Sequence, residues 1–195
     1  MKMSKLEKRF MRTKAHMRKN VELISDLLTK VDLSDIRTVL EAGCGVGMAS
    51  AHLAKHGLNV TGVDLDEEQI MMAKKFQGES GNLRFMVNDI TALPFEDGKF
   101  DMALSVGVMH HIPTWDKALS EVVRVLKPGG NFLFGDLAYS RITVRLFGGL
   151  TKNYGIYTIN DIIDHLEGIG CSVAFREKKG RMFGFHKIVF RKNVI

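Results

Sequence analysis

The stretch Glu41-Ala42-Gly43-Cys44-Gly45-Val46-Gly47, together with Asp64, limits what this chain can fold into more than any other part of it. An apolar run over 38–42 leads into three glycines at alternate positions, and a helical pattern begins at once. A second apolar run, 59–63, ends on Asp64, 21 residues after Gly43. Strand, glycine turn, helix and acid-terminated strand make a βαβ unit. Glycine permits positive φ and close approach of the backbone to a ligand, and a carboxylate there accepts hydrogen bonds from ribose hydroxyls. The pattern predicts a site for an adenosine-containing cofactor. Alone, the glycine run also fits a turn with only a structural role.

From Arg37 onward, short apolar runs alternate with helical periodicity. Strands are predicted over 38–42, 59–63, 83–87, 100–105, 131–136, 172–176 and 187–191. Helices are predicted near 47–56, 66–76, 115–126 and 159–169. Such alternation implies a mostly parallel sheet with helices on both faces. The last two strands follow each other through a short Gly-containing connection, which predicts a hairpin. Lys127-Pro128-Gly129-Gly130 reads as a tight turn. Leu6, Phe10, Met17, Val21, Ile24 and Leu28 recur at helical spacing, so residues 4–29 read as one or two helices.

At 195 residues, one domain is expected. It divides into an N-terminal basic helical cap (1–30), a cofactor-binding core (31–136), a lid or substrate segment (137–158), and a final helix and hairpin (159–195). No apolar run reaches the roughly 18 residues of a membrane span. The start is charged and has no apolar signal core. Cys44 and Cys171 form no CxxC pair, so a reducing, cytoplasmic setting is expected. Residues 1–30 hold nine basic and three acidic side chains, which accounts for the whole net charge of +6. The simplest reading is a solvated basic face on a docked helix. A lid over the site and contact with an anionic partner, membrane or RNA are the alternatives.

The glycine spacing is GxGxG, with Met48 where a dinucleotide fingerprint would place its third glycine. Asn88-Asp89-Ile90 follows the third strand, and Leu93-Pro94-Phe95 lies just beyond. A carboxylate beside an apolar residue suits adenine. The run VLEAGCGVG, VTGVDLDEEQI, NDITALPFEDGKFDMALS, VMHHI and ALSEVVRVLKPGG resembles the class I S-adenosylmethionine-dependent methyltransferases. The likeness is to the small-molecule, type 11 group that includes the quinone-biosynthesis enzymes. It covers about residues 37–136.

The resemblance implies a Rossmann-like seven-stranded sheet with its last strand antiparallel. It implies that Glu41, Gly43, Cys44, Gly45 and Gly47 line the methionine part of the cofactor. Asp64 would bind the ribose, with Leu65 beside the adenine. Asp89 and Ile90 would hold the ring, and Ser105 and Val106 would lie near the sulfonium. S-adenosylmethionine carries no phosphate, which agrees with the missing pyrophosphate fingerprint. A nicotinamide enzyme would want GxGxxG.

The reaction so implied is an in-line methyl transfer to a small-molecule acceptor, giving S-adenosylhomocysteine. Alignment and desolvation can supply roughly 7–11 kcal/mol. A general base gives about 10²–10⁴-fold. Positioning is therefore the larger effect. His110 or His111, after the fourth strand, is the candidate base, and packing is the competing role. No metal site is expected, because adjacent histidines in an extended segment point to opposite faces. Arg9, Phe10, Tyr139, Arg141 and Tyr154 are candidate substrate contacts. The segment after the fourth strand, Ser105-Val106-Gly107-Val108-Met109, lacks the Asn/Asp-Pro-Pro-aromatic run of DNA amino-methylases. An RNA methylase using the basic helix and a non-catalytic S-adenosylmethionine-binding protein are the other readings.

Overall fold

The computed structural model describes residues 14–147, 154–180 and 184–194. A helix, α1 (Lys14–Leu28), comes first. An alternating run follows: β1 (Thr38–Ala42), α2 (Met48–Lys55), β2 (Asn59–Asp64), α3 (Glu67–Gln77), β3 (Leu83–Val87) and β4 (Phe100–Val106). A 3₁₀ turn (Met109–His111) leads to α4 (Trp115–Arg124), β5 (Leu126–Ala138), α5 (Arg141–Phe147), α6 (Ile159–Gly168), β6 (Cys171–Lys179) and β7 (Gly184–Lys192).

The strands form one sheet in the order β3-β2-β1-β4-β5-β7-β6. Strands β1 to β5 are parallel, and β7 runs antiparallel between β5 and β6. The predicted Rossmann-like α/β fold and its antiparallel last strand are therefore present. The central strands are buried on both faces, as a parallel sheet between helices requires. Alternation along β5 serves both sides: Phe132 and Phe134 pack with α4 and α6, whereas Leu133 packs with Ile24 and Leu27 of α1 and Leu53 of α2.

Local signals explain the helix starts. The Asp66 side chain accepts from the Glu68 amide at the head of α3, and Thr158 and Asp161 form a capping box on α6. The predicted Lys127–Gly130 turn exists, but within β5. Phe100 pairs with Leu126 and Met102 with Asn131, so the four residues between loop out opposite Asp101. Lys127 Nζ meets Asp101 Oδ1 at 2.5 Å there.

The basic N-terminal helix is docked on the core. Ile24 and Leu27 are buried, and Asp26 pairs with the buried Lys187 of β7, which also pairs with Glu177 of β6. Arg18 and Lys19 are exposed. The earlier part of the predicted cap, with Arg9 and Phe10, lies outside the described residues. Among the described residues, no helix is long and apolar enough to cross a membrane.

Candidate active site

A cleft of about 250 Å³ opens at the carboxyl ends of β1 to β4. This is where ligands bind in open parallel sheets. The turn after β1 forms its floor. The amides of Gly43 and Cys44 donate to the Val63 carbonyl, so the turn is sewn to the end of β2. Gly43 and Gly47 have φ of 84° and 73°. A Cβ would lie 2.4 Å from Val108 at Gly43 and 2.5 Å from Phe85 at Gly47. These two glycines are required by packing. A Cβ on Gly45 would meet nothing within 4 Å, and this residue lines the cleft.

The carboxylates sit as their strand ends dictate. Asp64 Oδ2 accepts from the Gly45 amide at 2.9 Å and Oδ1 from the Asp66 amide at 2.9 Å. Asp89 caps the next turn through the amide and hydroxyl of Thr91, each at 2.8 Å. Glu41 is buried and accepts from Ser50 Oγ at 2.5 Å. Burial raises its pKa to about 7, against the pull of the Ser50 hydrogen bond. Burial also pushes the Cys44 thiol well above its usual value.

The described residues lining the cleft include three carboxylates, Glu41, Asp64 and Asp89, and neither lysine nor arginine. In a chain of net charge +6, that local sign is informative. A pyrophosphate would meet no lysine or arginine among these described residues. A cationic ligand with a ribose and a flat ring finds carboxylates, the open face of Gly45, and Leu65 and Ile90. Leu65 is 43% exposed and free to cover a ring. The donor set fits S-adenosylmethionine.

The structure gathers most of the predicted cofactor residues around this cleft: Glu41, Gly43, Cys44, Gly45, Asp64, Leu65, Asp89, Ile90 and Val106. Gly47 stands behind it against Phe85. Ser105 is buried within β4 and does not line it. The two histidines differ. His111 lines the cleft. His110 is held by Asp136, whose Oδ1 lies 2.5 Å from its Nδ1. The pair occupies a 3₁₀ turn, not an extended segment, and the rings lie 4.0 Å apart. Their rings therefore lie side by side and do not point to opposite faces.

Of the predicted substrate contacts, Tyr154 lies 6.2 Å from the His111 ring, centroid to centroid. Tyr139 is half-buried, and burial, then the Asp136 charge, raises its phenol pKa. Arg141 opens α5 and is exposed. None of the three lines the cleft. Sequence reasoning missed Asp136 and the contributions of Asn20 and Ile24 from α1. Asp136 had a readable signal, an acid at the carboxyl end of a strand like Asp64. The α1 residues had none, since only tertiary docking brings them in.

Residues 40–134 match the family described as "Methyltransferase domain". The chain is 39% identical over 122 residues to phthiotriol/phenolphthiotriol dimycocerosates methyltransferase of Mycobacterium tuberculosis, covering 62% of this chain and 44% of that protein. It is 42% identical over 102 residues to 2-methyl-6-phytyl-1,4-hydroquinone methyltransferase of Synechocystis sp., covering 51% and 31% respectively. The chain thus spans less than half the length of either relative. Among solved structures, the [4+2]-cyclase SpnF superposes with a TM-score of 0.76 at 19% identity, covering 90% of this chain and 82% of that one. That likeness concerns the fold alone.

Proposed function

We propose that the chain, whose residues 40–134 match a methyltransferase domain, is a class I S-adenosylmethionine-dependent methyltransferase that transfers a methyl group to a small-molecule acceptor by in-line displacement. The observation that carries the proposal is the sign of the cleft. Among the described residues that line it there are three carboxylates and no lysine or arginine around a glycine turn, in a chain that is basic overall.

Bound S-adenosylmethionine supplies a methyl carbon already activated by a positive sulfur. The residues of this chain do the rest. Asp64 would hold the ribose hydroxyls, Leu65, Asp89 and Ile90 the adenine, and Glu41, Gly43 and Gly45 the cationic methionine end. Val106, Gly107 and Val108 wall the reacting end and exclude water, so that alignment and desolvation carry most of the rate. His111 faces the cleft and is placed to take a proton from the acceptor. His110, fixed by Asp136, holds His111 in position.

The acceptor is a small molecule of the kind named for the relatives, a lipid or a quinol. Tyr154 stands behind His111, 6.2 Å from its ring, and would act on the acceptor through that histidine. Calorimetry tests the cofactor: S-adenosylhomocysteine should bind and NAD should not. NAD binding without S-adenosylhomocysteine binding would remove the reading. Transfer of labelled methyl into a lipid and metabolite extract then identifies the acceptor.

A further inference from the structure

Charge and apolar surface are distributed in opposite ways inside the cleft and around its mouth. Inside, the described lining residues include carboxylates and neither lysine nor arginine. The rim at the carboxyl ends of β5 and β6 carries the reverse pattern. Register across the sheet fixes the places: Asp136 pairs with His186 and His186 with Lys178, while Leu137 pairs with Phe185 and Phe185 with Lys179. Lys178 and Lys179 therefore lie two strand spacings, about 10 Å, along the rim from the residues that hold the histidine turn. Both are exposed, as is Leu137.

Helix α5 starts three residues beyond β5. It puts Arg141 and Arg145 on one stripe and Ile142 and Leu146 on the adjacent stripe, each pair four residues apart. Ile142 is 72% exposed and Leu146 60%. On the other side of the mouth, Arg18 and Lys19 are exposed immediately before Asn20, which lines the cleft. Arg18 has a partner in Glu22 at 2.9 Å.

We propose that this rim is a docking face for an anionic phospholipid surface. Exposed aliphatic side chains flanked by cations, on short elements at one edge of a fold, match the physics of interfacial binding. The apolar groups enter the acyl boundary while lysine and arginine meet headgroup phosphates. The rim's charge is complementary to a phospholipid leaflet, and the cleft's charge is not. With this face on the bilayer, the mouth opens toward the membrane. Docking stands apart from methyl transfer, whereas delivery of an apolar acceptor from the bilayer rests on the methyl-transfer reading.

Vesicle co-sedimentation of the full chain tests it. Binding to mixed phosphatidylglycerol–phosphatidylcholine vesicles is expected at low salt, weaker binding at physiological salt, and little to pure phosphatidylcholine. Ile142→Asp/Leu146→Asp and, separately, Arg145→Glu/Lys178→Glu/Lys179→Glu should each lower the vesicle partition coefficient by roughly tenfold or more. Both variants should keep wild-type affinity for S-adenosylhomocysteine, which shows that they are folded. No binding of the wild type to anionic vesicles at low salt overturns the proposal, as does undiminished binding by the folded variants. Tighter binding to single-stranded RNA than to vesicles, lost with the same charge reversals, assigns the rim to nucleic acid and also overturns it. Loss of S-adenosylhomocysteine binding by the wild type would instead remove the cofactor reading.

Discussion

The buried carboxylate of Asp136 organises the turn that carries His110. Its Oδ2 accepts from the amides of Val108, Met109 and His110 at 3.1, 2.7 and 3.3 Å, and its Oδ1 accepts from the Leu137 amide and lies against His110 Nδ1. One side chain at the end of β5 thus fixes the backbone of the loop after β4 and one ring within it. That loop supplies Gly107, Val108 and His111 to the cleft.

Asp136→Ala should therefore be among the most costly single changes in the chain. It strips the acceptor from four backbone amides and one imidazole, and a loss of ~3–5 kcal/mol is expected in denaturant unfolding. Asp136→Asn keeps the shape but turns a donor toward donors. It should lower the methyl-transfer rate while S-adenosylhomocysteine affinity changes little. A rate equal to wild type would show that the loop needs no such clamp.

Glu41 makes stability depend on pH in a defined direction. Its folded pKa, about 7, lies above the ordinary 4.5 because the carboxyl is buried. Between these values the folded chain holds a proton that the unfolded chain has released. Stability should thus be greatest below pH 4.5 as far as this group is concerned, fall as pH rises through that window, and level off above 7. The fall amounts to ~3 kcal/mol. Glu41→Gln should flatten this part of a stability–pH curve. A cationic ligand beside Glu41 favours the carboxylate, so S-adenosylmethionine affinity should rise with pH from 6 to 8 in wild type and stay level in Glu41→Gln.

The glycines of the turn should separate by role. Gly47→Ala forces a Cβ into Phe85 at positive φ, with an expected loss of ~2–4 kcal/mol in stability. Gly45→Ala meets open space and should cost only ~1 kcal/mol from its backbone conformation. Gly45 lines the cleft, so S-adenosylhomocysteine binding should weaken more than stability does. Equal effects of the two substitutions on both measurements would contradict this division.

The parts of the fold legible in the sequence were those fixed by local pattern. The predicted β1, β3 and the ends of α2, α3 and α6 fall within one or two residues of the structure, because apolar runs mark the strands, and the Gly47 turn and the Asp66 and Thr158 caps mark the helix starts. The cofactor side of the cleft was legible for the same reason: each of its carboxylates follows an apolar run. Helix α5 was not, since Ile142 and Leu146 face outward and give no core-facing periodicity. The 3₁₀ turn at Met109–His111 was not either. It is held by Asp136, 26 residues beyond His110, and no local rule reports such a bond.

Docking of α1 by an ion pair leads to the last prediction. Lys187 is buried at 3% exposure and pairs with Asp26 of α1 and Glu177 of β6, each partly exposed. Lys187→Met removes a buried charge and leaves two carboxylates that water can reach, so global stability should change by only ~1 kcal/mol. The helix loses its tether all the same, and Asn20 and Ile24 at its inner face line the cleft. Amide exchange along residues 18–28 should quicken in Lys187→Met, and S-adenosylhomocysteine should bind more weakly, while exchange in β1 and β4 stays slow. Unchanged exchange in α1 would mean that its buried Ile24 and Leu27 suffice to hold it. Restoration of both properties by Lys187→Arg would identify the charge, rather than the aliphatic stem, as the tether.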